Sequence, residues 1–265
     1  MNLTLFKANW KANWKVLMIF SVIMIFYFSM IIVMYDPMTT DSMAALIEML
    51  PQELINMMGF TLKIPTYTVF IASYFYGFLA IMFPTILLIM VTYRLMGKLV
   101  DRGSMAYLLA TPNSRVKIAT TQAVSLMTLL AAIQLLITLA GIGFSSVFFT
   151  GQLEVSKFIL INVGAWCYFF AVSSFSFFAS AFFNEGRHAI SVGSAFPVGF
   201  FVIQMIAQLG EEMEVARYLT LLSLFQPSEI LTDGYSLTPL IALVVIGIVG
   251  YATSIWMFKH RDLPL

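Results

Sequence analysis

The sequence predicts an all-α polytopic membrane protein with six transmembrane helices, and three observations carry that reading. Hydrophobic residues make up 60% of the 265 and charged residues only 10%. A soluble domain carries roughly 25% charged residues, so too few are present here to coat a surface that faces water. Six apolar runs approach or exceed the roughly 20 residues that a spanning helix needs. The basic residues, finally, gather on one side of those runs.

The six runs are Val16–Met34, Tyr67–Tyr93, Ile118–Phe149, Phe158–Phe183, Ala189–Gln208 and Pro239–Phe258. The second and third exceed one bilayer thickness and are expected to tilt, kink or protrude. Pro84 and Pro197 are the natural kink points. The first run is longer than the roughly 7–15 apolar residues of a secretion signal and is expected to be a retained anchor. All six belong to a single transmembrane domain covering 1–265.

Lysine and arginine placement sets the orientation. Lys7, Lys11 and Lys15 precede the first run. Arg94, Lys98, Arg102, Arg115 and Lys117 lie between the second and third, Arg187 between the fourth and fifth, and Lys259 and Arg261 after the sixth. The opposite side keeps only Lys63, Lys157 and Arg217 of the 14 basic residues, together with most of the acids. The basic side is expected to be cytoplasmic, with both ends of the chain there.

Residues 8–15 read ANWK-ANWK. On a helix this four-residue repeat aligns Phe6, Trp10 and Trp14 in one stripe and Lys7, Lys11 and Lys15 in the next. Indoles favour the headgroup level and lysines reach anionic phosphates. Residues 1–15 are therefore expected to form an interfacial helix on the inner surface before the chain turns into the first span. A frayed tail is the alternative. On the outer side, Ser42–Met58 and Val215–Ile230 are too apolar for plain loops and are expected to form short or re-entrant helices, which survive only where protein or water satisfies their backbone.

No Asp, Glu, Lys, Arg or His falls near the middle of a predicted span, whereas ion-coupled carriers usually hold such a group in the membrane. The polar residues there, Gln134, Asn162, Ser173, Ser174 and Gln204, are of the kind that join helices by hydrogen bonds. With His188 in a turn and His260 in the tail, a buried Ser–His pair is not expected, so no catalytic residue is assigned. One cysteine, Cys167, leaves no intramolecular disulfide, and no Cys/His cluster offers a zinc site. The phosphate-cradling pattern G-x-x-x-x-G-K-[ST] is absent from the sequence. Active transport would need energy from another polypeptide.

The connection from Gly97 to Lys117 reads GKLVDRGSMAYLLATPNSRVK. Ser104 can cap a short helix, Met105–Ala110 favour one, and Pro112 stops it. Met105, Leu108 and Leu109 would share one side. That apolar side either binds a partner or packs on the inner ends of the protein's own helices.

The stretch Asp101–Arg115 (DRGSMAYLLATPNSR) resembles the E-x-G-[TS]-[LM]-x-x-L-L-[AS]-x-P-x-[ST]-R loop of ABC-2 type permeases, the membrane subunits of ATP-binding cassette exporters. The tail Phe258–Leu263 is similar to that family's F-x-x-R-D-[LI] ending. Asp101 stands where the family usually has glutamate. The resemblance implies that two permease chains, identical or sister, pair around a path in a bacterial plasma membrane. It also implies that cytoplasmic ATPase subunits, carrying ATP and Mg²⁺, bind a coupling helix. Its residues here are Gly103, Ser104, Met105, Tyr107, Leu108, Leu109, Ala110, Pro112 and Arg115. No cofactor on this chain and no nucleic-acid partner are expected. The cargo would be amphipathic or hydrophobic, such as an antimicrobial or toxic peptide or a drug. Tyr67, Phe70, Tyr74, Phe75 and Phe78 form an aromatic face on the second span that could line its entry, or simply pack. The rival readings are a carrier or channel without an ATPase and, less in keeping with the residues, a lipid-modifying enzyme.

Overall fold

The computed structural model describes residues 1–35, 49–51, 54–55, 66–101, 103–109, 113–209 and 211–261, and among these it is helical with no strand. Six helices are long and apolar enough to cross a membrane. The protein is thus a polytopic α-helical bundle.

Helix α1 runs from Leu3 to Met34 without interruption, opened by Asn2, whose side chain accepts from the Leu5 amide at 3.1 Å. The expected turn before Val16 is not there: the ANWK strip forms the first turns of the first span. At 1.5 Å per residue these 32 residues reach about 48 Å, well beyond the roughly 30 Å hydrocarbon core. The second span is in pieces, α2 (Tyr67–Tyr76), α3 (Leu79–Thr92), a π-helical turn over Tyr93–Gly97, and α4 (Lys98–Asp101). The break falls at Gly77–Phe78, six residues ahead of Pro84, which lies inside α3. Phe78 leaves helical geometry at φ −134°, ψ −67°, and the carbonyl of Tyr74 accepts from the Tyr27 hydroxyl at 3.3 Å. Gly77 itself keeps helical angles (φ −62°, ψ −43°), and as a weak helix former it stands one residue before the break. Pro197 likewise stays within its helix.

After the short α5 (Ser104–Leu109) come α6 (Arg115–Phe148), α7 (Val155–Phe182) and α8 (Gly186–Ala207). Two 3-10 segments, Glu211–Leu219 and Leu221–Leu224, and the single turn α9 (Pro227–Ile230) lead to α10 (Thr238–His260). The outer segment 215–230 does not lie free. Leu222, Phe225 and Ile230 are buried, and Phe225 and Ile230 occupy the space left by Gly164 on α7. The other outer segment, Ser42–Met58, falls mostly outside the described residues.

Helix α7 is the axis of the bundle. Small residues along it (Ala165, Ala171, Ser173, Ser176) let neighbours approach closely, the usual device where lipid supplies no hydrophobic drive between helices. Among the hydrogen bonds that cross from it, the Tyr76 hydroxyl donates to Asn162 Oδ1 at 2.8 Å, and Ser173 meets Tyr251 at 2.7 Å. Helices α1 and α6 run side by side and parallel. Asn2 bonds Thr121 near their starts, and Phe28 lies against Gly141 further along.

Contacts among the connecting segments define the two ends. Asn2, Asp101, Arg115, Asn184, Gly186 and Arg261 lie at one end, joined by the bonds described below. At the other, the Glu154 amide donates to Thr68 Oγ1 and Lys157 pairs with Glu154 and Asp233. The first end carries Lys7, Lys11, Lys15, Arg94, Lys98, Arg115, Lys117, Arg187, Lys259 and Arg261. It is the basic end.

Candidate functional site at the basic end

The loop singled out by its sequence pattern is tied down at both margins to the same turn. Helix α8 has no side-chain cap of its own. Asp101, 85 positions earlier in the chain, fills that role: its Oδ1 accepts from the Gly186 amide at 3.0 Å. A carboxylate suits the positive end of a helix. The contact is close: a Cβ at Gly186 would stand 2.7 Å from the Asp101 carboxyl carbon and would displace that carboxylate. At the other margin the Arg115 guanidinium donates to the Arg261 carbonyl. Arg261 in turn donates through Nε to Asn184 Oδ1 at 2.8 Å and through Nη1 to the Ala181 carbonyl at 2.5 Å. Burial lowers the pKa of Arg261, yet arginine remains charged. The loop is therefore linked to the α7–α8 turn directly by Asp101 and indirectly by Arg115.

Between those margins, Gly103 takes the left-handed conformation (φ +65°) that suits glycine, and α5 starts at Ser104. Met105 is buried (2% exposed) and Leu108 half-buried against the core, while Tyr107 is 81% exposed. The apolar side of α5 thus packs on the protein's own helices, and Tyr107 is the described side chain it presents outward. Ser104 is half-buried and lines a groove described below. The Leu109 side chain, Ala110 and Pro112 lie outside the described residues.

The N-terminal strip divides by stripe. Lys7, Lys11, Trp14 and Lys15 are exposed. Trp10 is half-buried and donates to Thr128 Oγ1 at 3.1 Å. The asparagines of the repeat, assigned no role from sequence, are buried, Asn9 against α6. Asn9 Nδ2 donates to Gln122 Oε1 at 2.6 Å and Ser125 Oγ at 2.9 Å, and Asn13 Nδ2 to the Asn9 carbonyl at 2.9 Å. Two amides four residues apart imply a polar stripe, and that is the signal the repeat offered.

The aromatic residues of the second span form packing rather than an open face. Tyr67, Phe70 and Phe75 are 1% exposed or less, and Tyr74 is 8% exposed. Phe75 meets Phe28 edge-on at 4.7 Å, Tyr67 lies 4.9 Å from the rings of Tyr35 and Phe149, and Phe78 rests 5.2 Å from Phe201. Beside the Gly77 break is a polar cavity of about 150 Å³, lined in part by Ser73, Tyr76, Gln204, Gln226 and Ser228. It has room for a few waters and falls short of the roughly 300–1,000 Å³ of a small-molecule site. A larger, apolar groove of about 630 Å³ runs between α7, α8 and α10, walled by Phe175, Phe178, Phe182, Phe196 and Val249.

The fold and the charge distribution define the class, a multi-pass α-helical membrane protein. Comparison with protein-family models, with curated proteins and with solved structures found no match.

Proposed function

We propose that the chain is the permease subunit of an ATP-binding cassette exporter, driven by a separate ATPase that docks at the basic end. The observation that carries the reading is the loop 101–115. Its sequence resembles a permease coupling loop; one charged margin is bonded to the α7–α8 turn, the other to Arg261, which itself bonds Asn184 of that turn, while Tyr107 faces outward. A force applied to α5 would reach α8 through Asp101 and Gly186, a rigid-body link of the kind that shifts helices between states. The excess of Lys and Arg at this end supports a cytoplasmic placement in a bacterial plasma membrane. A second permease chain would complete the path. The apolar groove between α7, α8 and α10 fits a hydrophobic or amphipathic cargo in size and lining, better than the packed aromatics of α2.

The test is co-expression with an ATPase encoded beside this chain, followed by affinity purification and reconstitution. A stable complex whose ATP hydrolysis rises with hydrophobic peptide or drug is expected. Tyr107→Asp should lower the recovery of ATPase about tenfold or more, because it places a charge at the centre of an interface, while the variant still inserts. Wild-type recovery of the complex with that variant, or a chain that moves cargo without any ATPase, overturns the reading.

A further inference from the structure

At the basic end, the start of α1 does not close against the second span. A groove of about 670 Å³ lies between the face of α1 bearing Ala8, Asn9 and Ala12, the segment holding Arg94 and Lys98, and the short helix α5. Its size falls within the range of a small-molecule site. Two alanines on the α1 wall leave it open.

The lining is one-sided in charge. Among the described residues, Arg94 and Lys98 face it with no carboxylate partner, and no Asp or Glu lines it. Leucines 5, 95, 99 and 108 supply apolar surface, and Ser104 and Tyr107 supply hydroxyls. Asn13, 2% exposed and part of the lining, leaves its Oδ1 without a hydrogen-bond donor.

Depth matters as much as chemistry. The uncharged run Val16–Met34 rises about 28 Å and matches the roughly 30 Å hydrocarbon core. Asn13 stands one turn before it, at the headgroup level. Arg94 is the first charge after the apolar stretch of the second span and reaches the same level from the other side.

We propose that this groove is a binding site for an anionic glycerophospholipid whose headgroup carries free hydroxyls, phosphatidylglycerol being the probe. The phosphate would lie on Arg94 and Lys98, as in the basic pockets between spanning helices that hold acidic headgroups. The glycerol hydroxyls would meet the hydroxyls of Ser104 and Tyr107, and the start of an acyl chain would cover the leucines. Lys7, Lys11 and Lys15 are exposed and do not line the groove. They attract acidic lipid diffusely, which gives the site an internal control. The site needs only the bundle itself, so it stands or falls independently of any ATPase.

The experiment is native mass spectrometry of the full chain purified alone in detergent, titrated with phosphatidylglycerol or with phosphatidylcholine of the same acyl chains. The wild type should retain phosphatidylglycerol and little phosphatidylcholine. Arg94→Gln with Lys98→Gln should weaken phosphatidylglycerol binding about tenfold or more without lowering the thermal stability of the lipid-free chain. Lys7→Gln, Lys11→Gln and Lys15→Gln together remove more charge and should weaken it by less than about twofold. Equal loss in both variants means diffuse attraction and overturns the site. So does unchanged binding in the first variant, or equal retention of the two lipids.

Discussion

Helices α7 and α8 are adjacent in sequence and nearly equal in hydropathy, 1.7 and 1.8 over their most apolar windows, yet 72% of the first window is buried in the bundle and 17% of the second. Hydropathy tells which segments enter a membrane and not where they sit in it. What separates the two is the arrangement of small and hydroxylated residues. On α7 they occur around the whole circumference, and α1, α2, α3, α6, α8 and α10 gather about it or its neighbours. On α8 the buried residues Gly186, Ala189, Gly193 and Pro197 follow one helical stripe, and the rest of the surface remains outward. One helix is an axis and the other a strut held along one edge. Ser176 Oγ to the Gly193 carbonyl at 2.6 Å, Thr220 Oγ1 to the Phe200 carbonyl at 2.9 Å and the Asp101 cap are polar ties of that strut.

The contrast can be broken most severely where α10 meets the axis. A Cβ at Gly247 would collide with the Phe170 ring. Gly247→Val should therefore cost about 3 kcal/mol or prevent assembly, read by thermal unfolding in detergent and by yield of monodisperse protein. Next comes the polar crossing. Asn162→Ala leaves the buried Tyr76 hydroxyl without its acceptor and should cost about 1–2 kcal/mol, and Tyr76→Phe in the same background should recover part of that loss. A smaller effect is expected where the strut is capped. Asp101→Ala should cost about 1 kcal/mol and raise hydrogen exchange at the amides opening α8, leaving those of α7 unchanged. The smallest tests the free face of the strut. Nothing stands within 4 Å of a Cβ placed at Gly199, so Gly199→Ala should change stability by less than about 1 kcal/mol, in the stabilising direction. A large loss there would mean that α8 packs on something in the working protein.

The same logic explains which site residues were legible. The loop 101–115 was marked by its pattern, and the structure adds that Asp101 reaches the α7–α8 turn from 85 positions away and Arg115 reaches Arg261 from 146. Nothing local in the sequence encodes such a meeting. The apolar side of α5 (Met105, Leu108 and Leu109) was left open between a partner and the protein's own helices, and Met105 and Leu108 turn to the bundle. The polar neighbour Tyr107 was left outside. The aromatic face of α2, read from sequence as either an entry or packing, packs: Tyr35, Phe28 and Phe149, from other elements, fill it. The break at Gly77 rather than Pro84 depended on a partner for a freed carbonyl, and Tyr27 on α1 supplied one.

By itself the sequence determined that the chain is a bundle of six apolar helices with a basic and an acidic end. Those properties follow from the length of uncharged runs and from the cost of placing ions in hydrocarbon. It also marked the connection carrying the permease-like pattern. Only the tertiary structure decided that the ANWK strip continues into the first span, because Asn9 and Trp10 find partners on α6 along its line. Only the tertiary structure made α7 the axis and α8 the strut, because between helices in lipid the choice rests on side-chain fit and paired polar groups rather than on hydrophobicity.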